Sequence, residues 1–324
     1  MAAKNSYTFV LTPEQQDALE QLLASGNYLS REVPHTRIAV EADRCKVMLY
    51  SSGKCLVQGK GATDWVQFIL EPLVLMEVRT GYEEVLNPQA FQPHMGIDES
   101  GKGDFFGPMV IAAVFSDDGL AHKFNEMGVK DSKAISSDTK AFGLDRELRK
   151  LLDRKFALVT IGPKAYNRLY TKMRSVNSIL AWGHARAIEN LLGLVPDCTR
   201  AVADQFGPKR QIEQALMRKG RTIELEQRPK AESDPAVAAA SILARASFLR
   251  ALEKLKKEHG HEFPKGASEK VRKQAEILVK GKGPGVLLDT AKCHFRTADQ
   301  VLEAVGHRRD ELGPEGQAVS KSRT

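Results

Sequence analysis

The block Gly96-Ile97-Asp98-Glu99-Ser100-Gly101-Lys102-Gly103-Asp104 sets two adjacent carboxylates beside a Gly-Lys-Gly turn, just ahead of the apolar run Met109 to Phe115. Carboxylates held that close repel each other unless a cation lies between them. A hard divalent ion such as Mg2+ takes oxygen ligands, keeps several waters and completes its shell with phosphate oxygens. Glycines on both sides let the backbone turn sharply and let a polymer approach closely. These residue types point to metal-assisted phosphodiester chemistry. They also make ordinary surface turns, so further residues have to decide.

Two more acids stand where such chemistry would use them. Asp204 closes the apolar run Ala201-Val202-Ala203, and open α/β sheets bind ligands at the C-terminal ends of their strands. Its plain alternative is the start of the turn Gln205-Phe206-Gly207-Pro208. Asp234 precedes Pro235 and a long Ala-rich stretch, which is an N-cap position; a capping carboxylate can still offer an oxygen to a metal. Gly101-Lys102-Gly103 lacks the Gly-x-x-x-x-Gly-Lys-Ser/Thr spacing of a nucleotide-binding loop, so no nucleotide cofactor is expected.

Two regions would carry these residues. The first opens with a strand, Tyr7 to Leu11, and a helix with Thr12 as N-cap, Pro13 at its first position and Leu19, Leu22 and Leu23 as its buried stripe. Strands Thr36 to Glu41, Lys46 to Tyr50 and Cys55 to Gly59 follow. A second helix from Thr63 to Leu75 carries Trp65, Phe68, Ile69 and Leu73 on the expected core face. After the aperiodic, Gly- and Pro-containing stretch to Pro93, strands alternate with helices. The strands are His94 to Ile97, Met109 to Phe115, Phe156 to Ile161, Arg200 to Asp204 and Thr222 to Gln227. The helices are Ile179 to Leu192, Ile212 to Lys219 and Pro235 to His259. That alternation indicates an α/β core.

With 324 residues the chain has room for two domains, and 42% hydrophobic residues is ordinary for a globular protein. No apolar run approaches the roughly 18 residues of a membrane span, and the first residues lack the apolar core of a signal peptide. A cytoplasmic protein without membrane contact is expected. Cys45, Cys55, Cys198 and Cys293 show no Cys-x-x-Cys spacing, which argues against structural zinc and for free thiols in a reducing compartment. Residues 1–92 hold 8 Lys+Arg against 11 Asp+Glu, whereas the remainder holds 40 against 30. A basic second region is the footprint expected of a nucleic-acid contact.

Several ordered blocks together resemble the type 2 ribonuclease H family, and within it the HIII branch. They are Gly-Ile-Asp-Glu-Ser-Gly-Lys-Gly-Asp, Val129-Lys130-Asp131-Ser132-Lys133, and Ala236-Val237-Ala238-Ala239-Ala240-Ser241-Ile242-Leu243-Ala244-Arg245. The resemblance implies an RNase H-like α/β catalytic domain, a mixed sheet flanked by helices, over residues 94–308. A small TATA-binding-protein-like α+β domain for substrate binding over 1–80, a linker over 81–93 and a disordered tail over 309–324 complete the expected layout. It implies a metal-dependent endoribonuclease that hydrolyses the RNA strand of RNA/DNA hybrids to 5′-phosphate and 3′-hydroxyl ends by a two-metal mechanism. Mg2+ is the implied cofactor, with Mn2+ as a substitute, and a monomer is expected. Position by position, the four catalytic and metal-binding acids fall on Asp98, Glu99, Asp204 and Asp234, with Glu232 a nearby rival for the last whose spacing before the helix fits less well. Gly101, Lys102 and Gly103 would read ribose 2′-hydroxyls, and Ser132 and Lys133 would contact phosphate. Arg37, Arg44, Lys46, Lys54 and Lys60 are the candidate contacts of the first domain. Where the HII branch carries an aromatic in Lys-Gly-Tyr-Gly, this chain reads Lys265-Gly266-Ala267-Ser268, which favours cleavage within ribonucleotide runs over single-ribonucleotide junctions. Lys292, His294 and Phe295 also look familial and are assigned no chemical step. The alternatives are HII-like cleavage at single ribonucleotides and a non-catalytic nucleic-acid-binding protein.

Overall fold

A computed structural model describes residues 5–76, 88–129, 135, 137–216, 220–228 and 231–320. The chain divides into two compact units after Gln89. In the first, β1 (Ser6–Val10), α1 (Pro13–Ser25), β2 (Leu29–Ser30), β3 (Thr36–Ala42), β4 (Cys45–Tyr50) and β5 (Lys54–Gln58) lead into α2 (Ala62–Trp65), which continues as a π-helix over Val66–Leu75. The Thr12 hydroxyl accepts from the Gln15 N–H and the Gln15 side chain accepts from the Thr12 N–H, a reciprocal cap that fixes the start of α1. The strands form an antiparallel sheet in the order β1-β5-β4-β3-β2. Val47, Leu49, Cys55 and Val57 bury its inner face against Leu19, Leu23, Val66 and Leu70.

The second helix corrects the expected stripe. Phe68 and Leu73 are 60% and 55% exposed, while Val66, Leu70, Val74 and Leu75 are buried. The wide π winding takes more residues per turn than the α-helix assumed from the 3.6 period, so the buried face falls on different positions. Pro72 lies inside this segment and has no N–H for an α-type bond.

The second unit holds β6 (His94–Ser100), β7 (Met109–Ser116), α3 (Asp118–Glu126), α4 (Asp138–Leu152), β8 (Phe156–Ile161), α5 (Pro163–Met173) and α6 (Val176–Leu192). These are followed by β9 (Arg200–Asp204), α7 (Lys209–Ala215), β10 (Glu224–Arg228), α8 (Pro235–His259), α9 (Glu269–Lys282), α10 (Val286–Thr290) and α11 (Arg296–Ala304). The mixed sheet runs β10-β9-β6-β7-β8, with β6, β9 and β10 parallel and β7 antiparallel to both neighbours. α8 covers one face and α6 the other: Gly96 of β6 abuts the α8 backbone, and Gly183 of α6 abuts Ile111 of β7. By length and composition α8 could cross a bilayer, but 78% of its apolar window is buried inside the protein. It is the core helix.

The segment 309–320, expected to be a disordered tail, is ordered. Arg309 donates to the Cys293 and Gly316 carbonyls, the Ser320 N–H donates to the His294 carbonyl, and Leu312 and Ala318 are buried. Its Gly and charged residues hid two anchors, an arginine with three acceptors and a pair of apolar side chains. Ala90 and Phe91, placed in the expected linker, are likewise buried against Ala121.

A Cβ on Gly96 would stand 2.2 Å from the Ala236 carbonyl carbon and the Val237 nitrogen, both backbone atoms that cannot turn aside. Gly96→Ala is therefore expected to lower stability by at least about 1–3 kcal/mol in urea unfolding. Gly143→Ala, in α4 with nothing within 4 Å of the added carbon, is expected to raise it by up to about 1 kcal/mol.

Candidate active site

Successive residues of a strand point to opposite faces, so Asp98 looks toward the α8 side, like Gly96, while Glu99 looks toward α6. They share one pocket because β6 ends there: Gly101 takes φ +89°, and a Cβ on it would lie 2.2 Å from the Pro108 carbonyl oxygen. Only glycine fits that turn. The parallel register that pairs Ile97 with Ala203 brings Asp204 level with Asp98 at the strand ends. Asp98, Glu99 and Asp204 line this open pocket together with Gly101, Lys102 and Gly103.

Each carboxylate is oriented by a neighbour. Asp98 Oδ1 accepts from the Glu99 N–H at 2.8 Å, and Asp204 Oδ1 accepts from the Ala231 N–H at 3.4 Å. Glu99 Oε2 lies 3.1 Å from Nε2 of the buried His184, and its Oε1 lies 3.8 Å from Lys102 Nζ. The Phe206 ring, two residues past Asp204, sits 4.7 Å from the His184 ring and 5.7 Å from Lys102 Nζ. Three hard oxygen donors around an open space suit a divalent cation that keeps waters and completes its shell with substrate oxygens. Among the described residues no three acidic, His or Cys side chains already close into a metal cluster; Lys102 is the cation standing beside Glu99.

Two pocket cations escaped the sequence reading. Arg245 of α8 and Lys265 both line the pocket, tied together through Asp138 at 3.1 and 3.0 Å. Arg245 closes the Ala-rich motif of α8, and Lys265 opens the Lys-Gly-Ala-Ser segment. The segment that follows the Gly-Lys-Gly turn is held from behind. The Gly266 N–H donates to Asp104 Oδ1 at 2.6 Å, and the fully buried Lys292 ammonium donates to the carbonyls of Phe106, Gly107 and Pro108 at 3.2, 2.7 and 3.4 Å. Burial pushes the Lys292 pKa down to about 7, with the charge of Asp104 pulling the other way. His294 packs on Tyr170 and Phe295, and burial pushes it down to about 3. Both residues serve as framework.

Asp234 does not join the pocket, contrary to its assignment as the fourth acid. It caps α8 through the Ala236 and Val237 N–H groups, lies 2.9 Å from His94 Nε2, accepts from Arg228 at 3.1 Å, and is wholly buried. His94 stands four residues back along β6 from Asp98, roughly 13 Å at the rise of an extended strand. N-capping of the buried core helix thus draws this carboxylate inward. Glu232 is only partly buried and follows Ala231, whose N–H meets Asp204.

Of the other assigned contacts, Ser132 and Lys133 lie outside the described residues. Arg37 is engaged by Asp17, Glu20 and Gln16 of α1, which corrects its reading as a cation offered to a ligand. Arg44 sits in the β3–β4 turn beside Asp43 and Asp64. Lys46 and Lys54 are exposed on the sheet face opposite the helices, and Lys60 is exposed after β5.

The sequence pattern of the family described as Ribonuclease HII matches residues 95–298. The chain is 39% identical to the Ribonuclease HIII of Protochlamydia amoebophila (strain UWE25), covering 84% of this chain and 88% of that one. It is 36% identical to the Ribonuclease HIII of Chlamydia pneumoniae, covering 91% and 97%. A crystal structure of Bst-RNase HIII in complex with Mn2+ is similar with a TM-score of 0.63 and 26% identity, covering 94% of this chain and all of that one.

Removing this wholly buried carboxylate takes away the α8 cap and leaves Arg228 and His94 without their partner, so Asp234→Ala is expected to lose at least about 1–3 kcal/mol in urea unfolding. In Mn2+ titration calorimetry, Asp234→Asn should keep the binding heat while Asp98→Asn and Asp204→Asn lose most of it. Loss of the heat in Asp234→Asn with the fold intact would return that residue to the site.

Proposed function

The chain belongs to the type 2 ribonuclease H family, on its ribonuclease HIII branch, and on that premise we propose that it hydrolyses the RNA strand of RNA/DNA hybrids as a Mg2+-dependent endonuclease. The carrying observation is the convergence of Asp98, Glu99 and Asp204 on one open pocket with the Gly101-Lys102-Gly103 turn. Asp98, Glu99 and Asp204 would hold the divalent ions that enzymes of this family require, with Glu232 as the candidate fourth acid, and the bound ions would supply activation of water and stabilisation of the leaving 3′ oxygen. Lys102, Arg245 and Lys265 draw the scissile phosphate inward. Water adds to phosphorus, the bond to the 3′ oxygen breaks, and that oxygen takes up a proton, leaving 5′-phosphate and 3′-hydroxyl ends.

Selection for ribose rests on the turn. A Cβ on Gly103 would meet nothing within 4 Å, so its glycine is not demanded by protein packing; the open side is where main-chain groups can approach a 2′-hydroxyl. Lys265-Gly266-Ala267-Ser268 is bonded to this turn through Asp104 and offers no aromatic, which supports cleavage within ribonucleotide runs. The first unit is assigned to gripping the duplex, with Lys46, Lys54 and Lys60 as its contacts. The four cysteines are free and buried, which suits a reducing compartment, and we take the enzyme to act in the cytoplasm as a monomer.

Two labelled duplexes test this reading, one with a continuous RNA stretch opposite DNA and one with a single ribonucleotide. Mg2+-dependent cleavage of the first, little of the second, and none of either by Asp98→Asn is the expected result. Efficient cutting at the lone ribonucleotide indicates HII-like behaviour, and no metal-dependent cutting indicates a binding protein. In a second comparison, Gly103→Ala should keep the wild-type melting temperature while cleaving hybrid at least about tenfold less well, an effect of about 1.4 kcal/mol. Gly101→Ala should lose melting temperature as well.

A further inference from the structure

Residues 154–188 contain Arg154, Lys155, Lys164, Arg168, Lys172, Arg174 and Arg186 and no acidic residue. That stretch alone carries +7, as much as the formal net charge of the whole chain. The charges are not evenly used. Lys155 pairs with Asp117 at 3.6 Å and Arg186 lies over the Trp182 ring. Lys164, Arg168, Lys172 and Arg174 are all exposed, and among the described residues none of them makes an ion pair.

Three of the four form one stripe on α5. Lys164, Arg168 and Lys172 are spaced i, i+4, i+8, about 6 Å apart along the axis. Tyr166, Asn167 and Tyr170 are the buried side, where Asn167 holds the Leu288 and Ala291 carbonyls. Like charges at i, i+4 oppose helix formation. Elsewhere in the chain two exposed helix lysines are matched by acids at that spacing, Lys209–Glu213 and Lys254–Glu258. A helix that keeps three unopposed cations in a row is paying for something outside itself.

Topology puts the stripe beside the candidate active site. Only Gly162 separates β8 from α5, at the sheet end where Ile161 pairs with Met109 and Ser100 with Val110. It ends at Arg174, which takes φ +55° and turns the chain into α6. The start of α6 lies at the same end of the sheet, because Gly207, just past Asp204, abuts Asn177. From the end of β8 to the end of β9 is three strand spacings, about 14 Å. Eleven residues of α5 rise about 16 Å, a matching span. The helix therefore runs along the carboxylate end of the sheet.

We propose that Lys164, Arg168, Lys172 and Arg174 form a second contact line for the sugar-phosphate backbone of the bound hybrid, outside the cleavage pocket. This rests on the hybrid-cleavage reading above. Each neutralised phosphate releases counterions and steepens the salt dependence of binding. The line would grip the arm of the duplex that extends beyond the scissile phosphate, so it matters for long hybrids and not for short ones.

The test compares wild type with Lys164→Gln/Arg168→Gln/Lys172→Gln on a short hybrid that covers only the pocket and on one extended by a helical turn at either end. On the long hybrid, with Asp98→Asn added to stop cleavage, the slope of log Kd against log salt should fall by about 2–3. In the active enzyme KM should rise at least fivefold with kcat unchanged, and the short hybrid should behave as with wild type. Lys172→Gln and Arg174→Gln singly should each lower the slope by about 1, and the charge-keeping set Lys164→Arg/Arg168→Lys/Lys172→Arg should restore it. An unchanged slope and KM on the long hybrid, or equal loss on both lengths, overturns the inference. Wild type that cleaves neither hybrid overturns the function reading instead.

Discussion

Everything in the catalytic unit follows from holding like charges together. Asp98, Glu99 and Asp204 converge on one pocket at the ends of two parallel strands, and nothing in their mutual electrostatics favours that arrangement before a cation arrives. The force that keeps them there is packing elsewhere. β6 is buried from both sides, and α8 can lie against it only because position 96 has no side chain. A fully buried strand, β7, backs it along its whole length. The repulsion is borne by a core that would have to come apart to relieve it.

The turn that follows is rigid for a different reason. Its glycines make sharp geometry accessible, which by itself would make it mobile. Lys292 removes that freedom by donating to three successive carbonyls, and the Lys292 N–H adds a fourth bond to the Phe105 carbonyl. Asp104 then fastens the turn to the 265–268 segment. A buried ammonium is a costly fastener, but three carbonyl acceptors offset much of its lost hydration. The aromatic layer of Phe105, Phe106, Tyr166 and Phe263 keeps water away from it.

The strands of the catalytic unit were legible because each is a short apolar run bounded by turn residues, and four of the five start where the sequence places them. Asp98, Glu99 and Asp204 were legible because type and position coincide. Helices α3, α4, α5 and α9 were not singled out: they carry many charges, and their apolar stripes are too thin to read without the core they cover. Asp234 failed instructively. Cap and ligand are compatible uses of one carboxylate in sequence, but His94, its competing partner, lies 140 positions away. The π-helix failed because periodicity presumes the very winding that Pro72 disrupts.

Charge placement explains how a site of carboxylates can attract a polyanion at all. At physiological salt, interactions between exposed charges fade beyond about 8 Å, so the net charge of the chain is a poor guide to the approach of a phosphate. Cations have to stand within that distance of the acids. Lys102 does so, 3.8 Å from Glu99, and Arg245 and Lys265 line the same pocket, each paired with Asp138. Asp138 looks unhelpful as a further negative charge beside three carboxylates, yet against its own burial its pKa is held low by these two partners. It stays ionised and keeps both cations spread toward the substrate side. The acidic balance of the first unit is no obstacle on the same grounds, because its net charge is felt only locally and Lys46 and Lys54 share the face free of helices.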